Sequence, residues 1–236
     1  MPSRESEWIR HLATAPLFAG LGDDELARIA SHALPITLRK GAALFGIGDT
    51  PRGFYVTMTG QIKVSFVSPR GDEKVVDLFG PGQSFGEAVA FLARPAPVNA
   101  QAVVSSSVLL IPVGPVLDEI RRDGHYAARV IAGLCRRVHA LTMELESHLM
   151  HSGTQRVAAY LLGEAGAGTG AGNLPGGAAG REIRLPAAKG VVASRLGMTQ
   201  EHFSRILGEL GRQELIAVQG RGVRLLDAER LRAFVV

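Results

Sequence analysis

Thr199, Gln200, Glu201, Ser204 and Arg205 string hydrogen-bond donors and acceptors along two turns of chain near the C-terminus. At helical spacing Gln200, Glu201, Ser204 and Arg205 share one face, while Phe203, Ile206, Leu207 and Leu210 form an apolar stripe on the other. A helix buried by its stripe and wet on the opposite face can present these side chains to a nucleic-acid groove. Arg205 can pair bidentately with guanine O6 and N7, Glu201 can accept from a cytosine amino group, and Ser204 can contact thymine or adenine. Thr199 supplies a hydroxyl for the helix N-cap, but His202 stands where a capping box has Glu, so the box is incomplete. Gln219-Gly220-Arg221-Gly222 separates two apolar runs, so Arg221 marks a basic hairpin tip beside the helix.

Other chemistries lack their residues. Cys135 is the single cysteine, which excludes an internal disulfide, a Cys-ligated zinc site and an iron–sulfur cluster. The histidines are His11, His32, His125, His139, His148, His151 and His202, and none falls within residues 34–113. A cupin-like metal enzyme needs clustered His and Glu on its strands, so no enzyme is expected. The N-terminus has no signal-peptide apolar core, and no run approaches the roughly 20 apolar residues of a membrane span. The chain therefore reads as cytoplasmic.

Charge divides along the chain. Residues 1–150 hold 15 Lys/Arg against 15 Asp/Glu; residues 151–236 hold 11 against 7, so the whole net charge of +4 lies in the last third. A basic small domain beside a neutral larger one points to double-stranded DNA as partner.

The elements that must position the polar face read in order. Within 187–212, Val191, Val192 and Leu196 mark a first helix, Gly197 a tight turn, and Thr199 the start of the second helix. Upstream, residues 5–33 read as helical with a break at 20–25, where Asp23 or Asp24 would cap a new helix. Residues 34–113 alternate as strands between glycines, as at Ile62, Val64 and Phe66, with a turn at Ser68–Asp72, which predicts an antiparallel sandwich or roll. Ala127, Ile131, Leu134, Val138, Leu141 and Leu145 follow a heptad, predicting a homodimer through a two-stranded coiled coil. Ser152-Gly153 breaks that helix and Thr154 would cap the next. The Gly/Ala-rich stretch 163–180 reads as a surface loop, Glu182–Leu185 as a short strand, and Pro186 as the first turn of a helix. The expected class is α+β: helices and β-roll over 1–115, a dimerisation helix over 116–151, and a winged helix-turn-helix over 152–236.

Nearly the whole chain resembles the Crp/Fnr superfamily of bacterial transcription regulators. The glycine pattern from Lys40-Gly41 through Gly48-Asp49, Tyr55, Gly60, Gly71 and Pro81-Gly82 to Phe85-Gly86-Glu87 is similar to its effector-binding, cyclic-nucleotide-binding-like roll. Glu201-His202-Phe203-Ser204-Arg205 is similar to the E-x-x-S-R helix of the Fnr and Dnr branches, and Phe85–Leu92 resembles most the nitric-oxide-sensing Dnr branch. The resemblance implies no enzyme but a dimer on an inverted repeat of TTGAT-like half-sites, with RNA polymerase as a further partner. It places Gly86 and Glu87 at the effector pocket. Where cyclic-AMP-binding members carry an Arg-Ser pair, this chain has Ala96-Pro97, with Arg94 out of register, which argues against cyclic AMP. For a roll of this branch that leaves a haem ligated by His11 and carrying a nitric oxide signal, or no small effector at all; the alternative is a cyclic-nucleotide-responsive regulator. His148 and His151 stand at the junction before the DNA-binding domain, as hinge or pH-sensitive residues.

Overall fold

The computed structural model describes residues 4–167 and 180–235. The chain divides into two compact units, one up to Leu141 and one from Thr142 onward, with the division inside a single long helix. The architecture is α+β, and among the described residues no helix is long and apolar enough to cross a membrane.

The first unit opens with α1 (Arg4–Thr14), a 3-10 turn (Pro16–Phe18) and α2 (Asp23–Ala30). Gly22, not an aspartate, is the N-cap of α2: the Glu25 carboxylate accepts from its backbone N–H at 2.7 Å, while Asp23 and Asp24 sit in the first turn. There they complement the positive end of the helix dipole. The strands follow as β1 (Leu34–Leu38), β2 (Ala43–Phe45), β3 (Gly53–Thr59), β4 (Ile62–Val67), β5 (Glu73–Phe79), β6 (Ser84–Phe85), β7 (Asn99–Ala102) and β8 (Ser106–Pro112). They form two antiparallel sheets, β1-β8-β3-β6 and β2-β7-β4-β5. The turn expected at Ser68–Asp72 joins β4 to β5.

Alternation explains why β3 and β8 are buried or half-buried at nearly every position. Tyr55 and Val108 face the space between the sheets with Ile62, Val64, Phe79 and Ala100. Phe54, Val56, Leu109 and Ile111 face the other way, under Leu12, Leu17, Phe18, Leu26 and Ile29 of the N-terminal helices. Both faces of this sheet are therefore buried. Between β6 and β7 stands the short α3 (Glu87–Leu92), and after β8 come α4 (Val113–Arg122) and α5 (Gly124–Met150).

The first half of α5 packs on its own unit through Tyr126, Val130 and Gly133. A Cβ on Gly133 would lie 2.4 Å from the Leu17 carbonyl oxygen, so only glycine lets the helix approach the N-terminal turn. Of the heptad positions, Leu134 is half-buried against this core. Ile131, Val138, Leu141 and Leu145 are exposed, and this apolar stripe continues at Leu149 and Met150.

The second unit holds the end of α5, then α6 (Gly153–Ala167), β9 (Glu182–Arg184), α7 (Lys189–Arg195), α8 (Gln200–Arg212), β10 (Ile216–Gln219), β11 (Gly222–Leu225) and α9 (Ala228–Arg232). Helix α6 runs through Gly163 to Ala167, so the start of the expected 163–180 loop is helical; residues 168–179 lie outside the described residues. Pro186 precedes α7 rather than starting it, because Ala188 is the N-cap. Val157, Ala158 and Leu161 of α6 and Phe203, Ile206, Leu207 and Leu210 of α8 are all buried, with Ile216, Val223 and Leu225 of the sheet.

Candidate functional site

Helix α8 is set by local physics. Gly197 turns the chain at φ +72°, a region other residues avoid. The Thr199 side chain then accepts from the His202 backbone N–H at 3.2 Å, capping the helix as expected. With the apolar stripe sunk in the core, Gln200, Glu201, Ser204 and Arg205 all stand exposed on the outer face of the first two turns. Helix α7 passes close enough that a Cβ on Gly190 would lie 2.7 Å from Gln200 Oε1. That close approach was not legible in the chain, because it joins residues on different helices.

The corner between the two helices is held from behind. Arg156 Nε donates to the Leu196 carbonyl at 3.0 Å, and Arg156 Nη1 donates to the His151 carbonyl at 2.6 Å. His148 places Nδ1 2.9 Å from the Glu144 carbonyl and Nε2 3.3 Å from the Arg195 carbonyl. His148 and the backbone of His151 thus brace the turn that carries α8. Beneath them, burial pushes the Glu164 carboxyl above the usual range, opposed by the Arg195 guanidinium.

Arg221 is exposed at the tip of the β10–β11 hairpin, as expected of a wing. The wing has a third strand: β9 pairs with β11 in the register Val223 to Ile183, and the Arg221 carbonyl accepts from the Leu185 N–H at 2.9 Å. The tip is therefore tied down at its backbone while its guanidinium stays free to move in solvent. Exposed donors on a capped helix beside a cationic hairpin suit groove edges and phosphates.

The first unit contains a cavity of about 460 Å³. Its walls come from Pro16 and Leu17, from Phe79 of β5, from Glu87, Ala88, Phe91 and Leu92 of α3, and from Leu134, Arg137, Val138 and Leu141 of α5, with Gln83 and Ser84 beside them. Gly86, at φ +85°, turns the chain into α3 and so delivers Glu87 to the wall, but is not itself part of the lining. Burial raises the Glu87 carboxyl above the ordinary range, against a hydrogen bond from Ser84 and the charge of Arg137. Arg137 donates to the nearly buried Asp77 at 3.0 Å and lies 5.4 Å from the Phe79 ring centroid. None of this polar cluster was singled out from the sequence except Glu87. Its members lie on β5, α3 and α5, far apart along the chain.

A haem does not fit this cavity as the resemblance implied. The apolar walls suit a hydrocarbon surface, but among the described lining residues none is a His, Cys, Met or Tyr that could bind iron. His11 lies in α1, outside the lining. Ala96 is buried and bonded through its backbone to Gly48 and Asp49, and Arg94 is exposed, so neither brings a cation to the wall. Among the described residues no group of three or more His, Cys, Asp or Glu gathers as metal ligands.

Comparison with known proteins agrees with this two-part construction. Residues 35–123 match the model of the cyclic nucleotide-binding domain, and residues 155–234 match that of the Crp-like helix-turn-helix domain. The crystal structure of DNR from Pseudomonas aeruginosa is 30% identical, covers 99% of this chain and 100% of its own, and superposes with a TM-score of 0.54. The fumarate and nitrate reduction regulatory protein of Vibrio cholerae is 29% identical over 209 residues, 88% of this chain and 80% of that protein. The CRP-like cAMP-activated global transcriptional regulator of Mycobacterium tuberculosis is 23% identical over 220 residues, 93% of this chain and 96% of that protein. A sensory roll of the cyclic-nucleotide-binding type, followed by a Crp-like helix-turn-helix, makes this chain a member of the Crp/Fnr family of DNA-binding transcription regulators.

Proposed function

We propose that this regulator reads an inverted repeat of TTGAT-like half-sites as a homodimer, with Arg205 on the guanine, Glu201 and Ser204 on neighbouring bases, and Thr199, Gln200 and Arg221 at the backbone and groove edge. The observation that carries the reading is the division of α8, where Gln200, Glu201, Ser204 and Arg205 are exposed while Phe203, Ile206, Leu207 and Leu210 are buried. Two copies are proposed because Ile131, Val138, Leu141 and Leu145 form an apolar stripe exposed in the subunit. A two-fold dimer sets the half-site centres about 34 Å apart, one turn of the duplex. Nitric oxide sensed through a haem has no axial ligand in the cavity to support it, so the signal is proposed to be a small molecule held by the cavity itself.

Fluorescence anisotropy with three duplexes tests this reading. One carries both half-sites, one has a single half-site scrambled, and one has both scrambled. The intact repeat should bind about a thousandfold or more tighter than the fully scrambled duplex at the same salt concentration. Losing one half-site should cost most of that difference. Equal affinity for all three would show a nonspecific basic protein.

A further inference from the structure

The charges around the cavity say what kind of molecule it can hold. Among the described residues that line it, Arg137 is the cation, and it is already bonded to Asp77 at 3.0 Å and stacked on Phe79. Glu87 adds a second carboxyl on the same side. One guanidinium therefore faces two acidic groups. Asp77 already offsets the Arg137 charge through Nη2, so an incoming anion would gain less from the guanidinium and would sit beside Glu87 as well. An incoming cation would meet the Arg137 guanidinium and would leave its hydration for walls of Leu17, Phe91 and Leu134. A neutral molecule meets neither obstacle. Its hydrocarbon part would cover the apolar wall, and one polar head could exchange hydrogen bonds with Glu87, which Ser84 orients, and with Gln83. At about 460 Å³ the space holds a molecule rather than a few waters.

We infer that the cavity binds an uncharged, mainly apolar small molecule bearing a single hydroxyl or carbonyl, which bonds Glu87. This deepens the proposed function, since it rests on the first unit being the part that receives the signal.

The test uses the full-length protein and a series of equal chain length: octan-1-ol, octanoate and octylammonium, each titrated calorimetrically at pH 7. Octan-1-ol should bind at least tenfold tighter than either ion. Glu87→Gln, which keeps a neutral hydrogen-bonding head, should hold octan-1-ol within about threefold. Glu87→Leu should weaken it at least tenfold. Ala88→Trp, which fills the cavity from α3, should abolish binding, with circular dichroism confirming that each variant is folded. Octanoate or octylammonium binding as tightly as octan-1-ol would overturn the inference. So would octan-1-ol binding unchanged in folded Ala88→Trp, or no binding of any probe. The duplex measurement described above separates the two claims. Duplex selectivity without octan-1-ol binding sinks only the ligand class; octan-1-ol binding without duplex selectivity sinks only the DNA reading.

Discussion

In α8, Gln200, Glu201, Ser204 and Arg205 stand in solvent and leave burial to Phe203, Ile206, Leu207 and Leu210. At the cavity, Asp77, Glu87 and Arg137 are gathered beside Phe79 and Leu134. The first arrangement is made by one helix, one cap and one turn. The second is assembled from segments that run from Pro16 to Leu141. Exposed polar groups keep their water until a partner arrives, so altering them changes recognition and leaves the fold alone. Desolvated groups at a junction of β5, α3 and α5 are part of the fold, so altering them changes stability first. The outer face of α8 and the cavity should therefore separate cleanly in mutational experiments.

The largest effect is expected at the stripe proposed to join two subunits. Ile131→Glu with Leu145→Glu places charges on positions exposed in the subunit, so the chain should stay folded but sediment as a monomer. Operator affinity should fall by about a hundredfold or more, because one half-site is lost from each complex. A dimer that survives both changes would place the interface elsewhere. Next, Arg205→Ala should cost about 1–3 kcal/mol per half-site with no more than a slight change in Tm. A large Tm drop would mean that α8's outer face is structural after all, and the contrast between the regions would fail.

At the cavity side the order of effects reverses. Gly133→Ala forces a methyl against the Leu17 backbone, which cannot give way as a flexible side chain would. The cost should be about 1–3 kcal/mol, or roughly 2–10 °C in Tm, with duplex affinity unchanged at temperatures where the variant is folded. Glu87→Gln should have the smallest effect and a distinctive pH dependence. The Glu87 carboxyl is raised by burial, so its contribution to stability is fully present in acid and is lost as pH rises through the raised value. Glutamine cannot ionise. The variant should match the wild type below the ordinary glutamate range and exceed it by about 2 °C at pH 8, measured by thermal melts across pH. A constant offset at all pH values would show that Glu87 is not the titrating group.

The same contrast explains what the chain revealed. The helix-turn-helix was legible because its signals are local: the Thr199 cap, the Gly197 turn and the period of Phe203, Ile206 and Leu210 lie within a few turns. The hairpin tip at Arg221 was legible for the same reason, but the pairing of β9 with β11 was not, since Ile183 and Val223 meet only in the fold. The roll was legible as alternating strands, not as two sheets of which one holds β3 and β8 between separate cores. The heptad identified α5 but not that Leu134 also packs on its own unit, because periodicity does not say which neighbour covers a residue. The aspartates at the start of α2 signalled a helix, yet the cap fell to Gly22, with Glu25 closing the turn. The cavity was the least legible feature. Glu87 was found by resemblance, whereas Asp77 and Arg137 carry no local pattern that announces their pairing.

The central claim is that Arg205 reads a guanine in each half-site, and a double-mutant cycle tests it most directly. Wild type and Arg205→Ala are each titrated by anisotropy against the inverted repeat and against the same repeat with its guanines replaced by adenine. For the wild type, replacing the guanines should cost about 1–3 kcal/mol per half-site. For Arg205→Ala the two duplexes should bind with nearly equal affinity, because the group that tells them apart is gone. If the two losses instead add in full, Arg205 contacts only the backbone and the proposed reading of the groove is wrong.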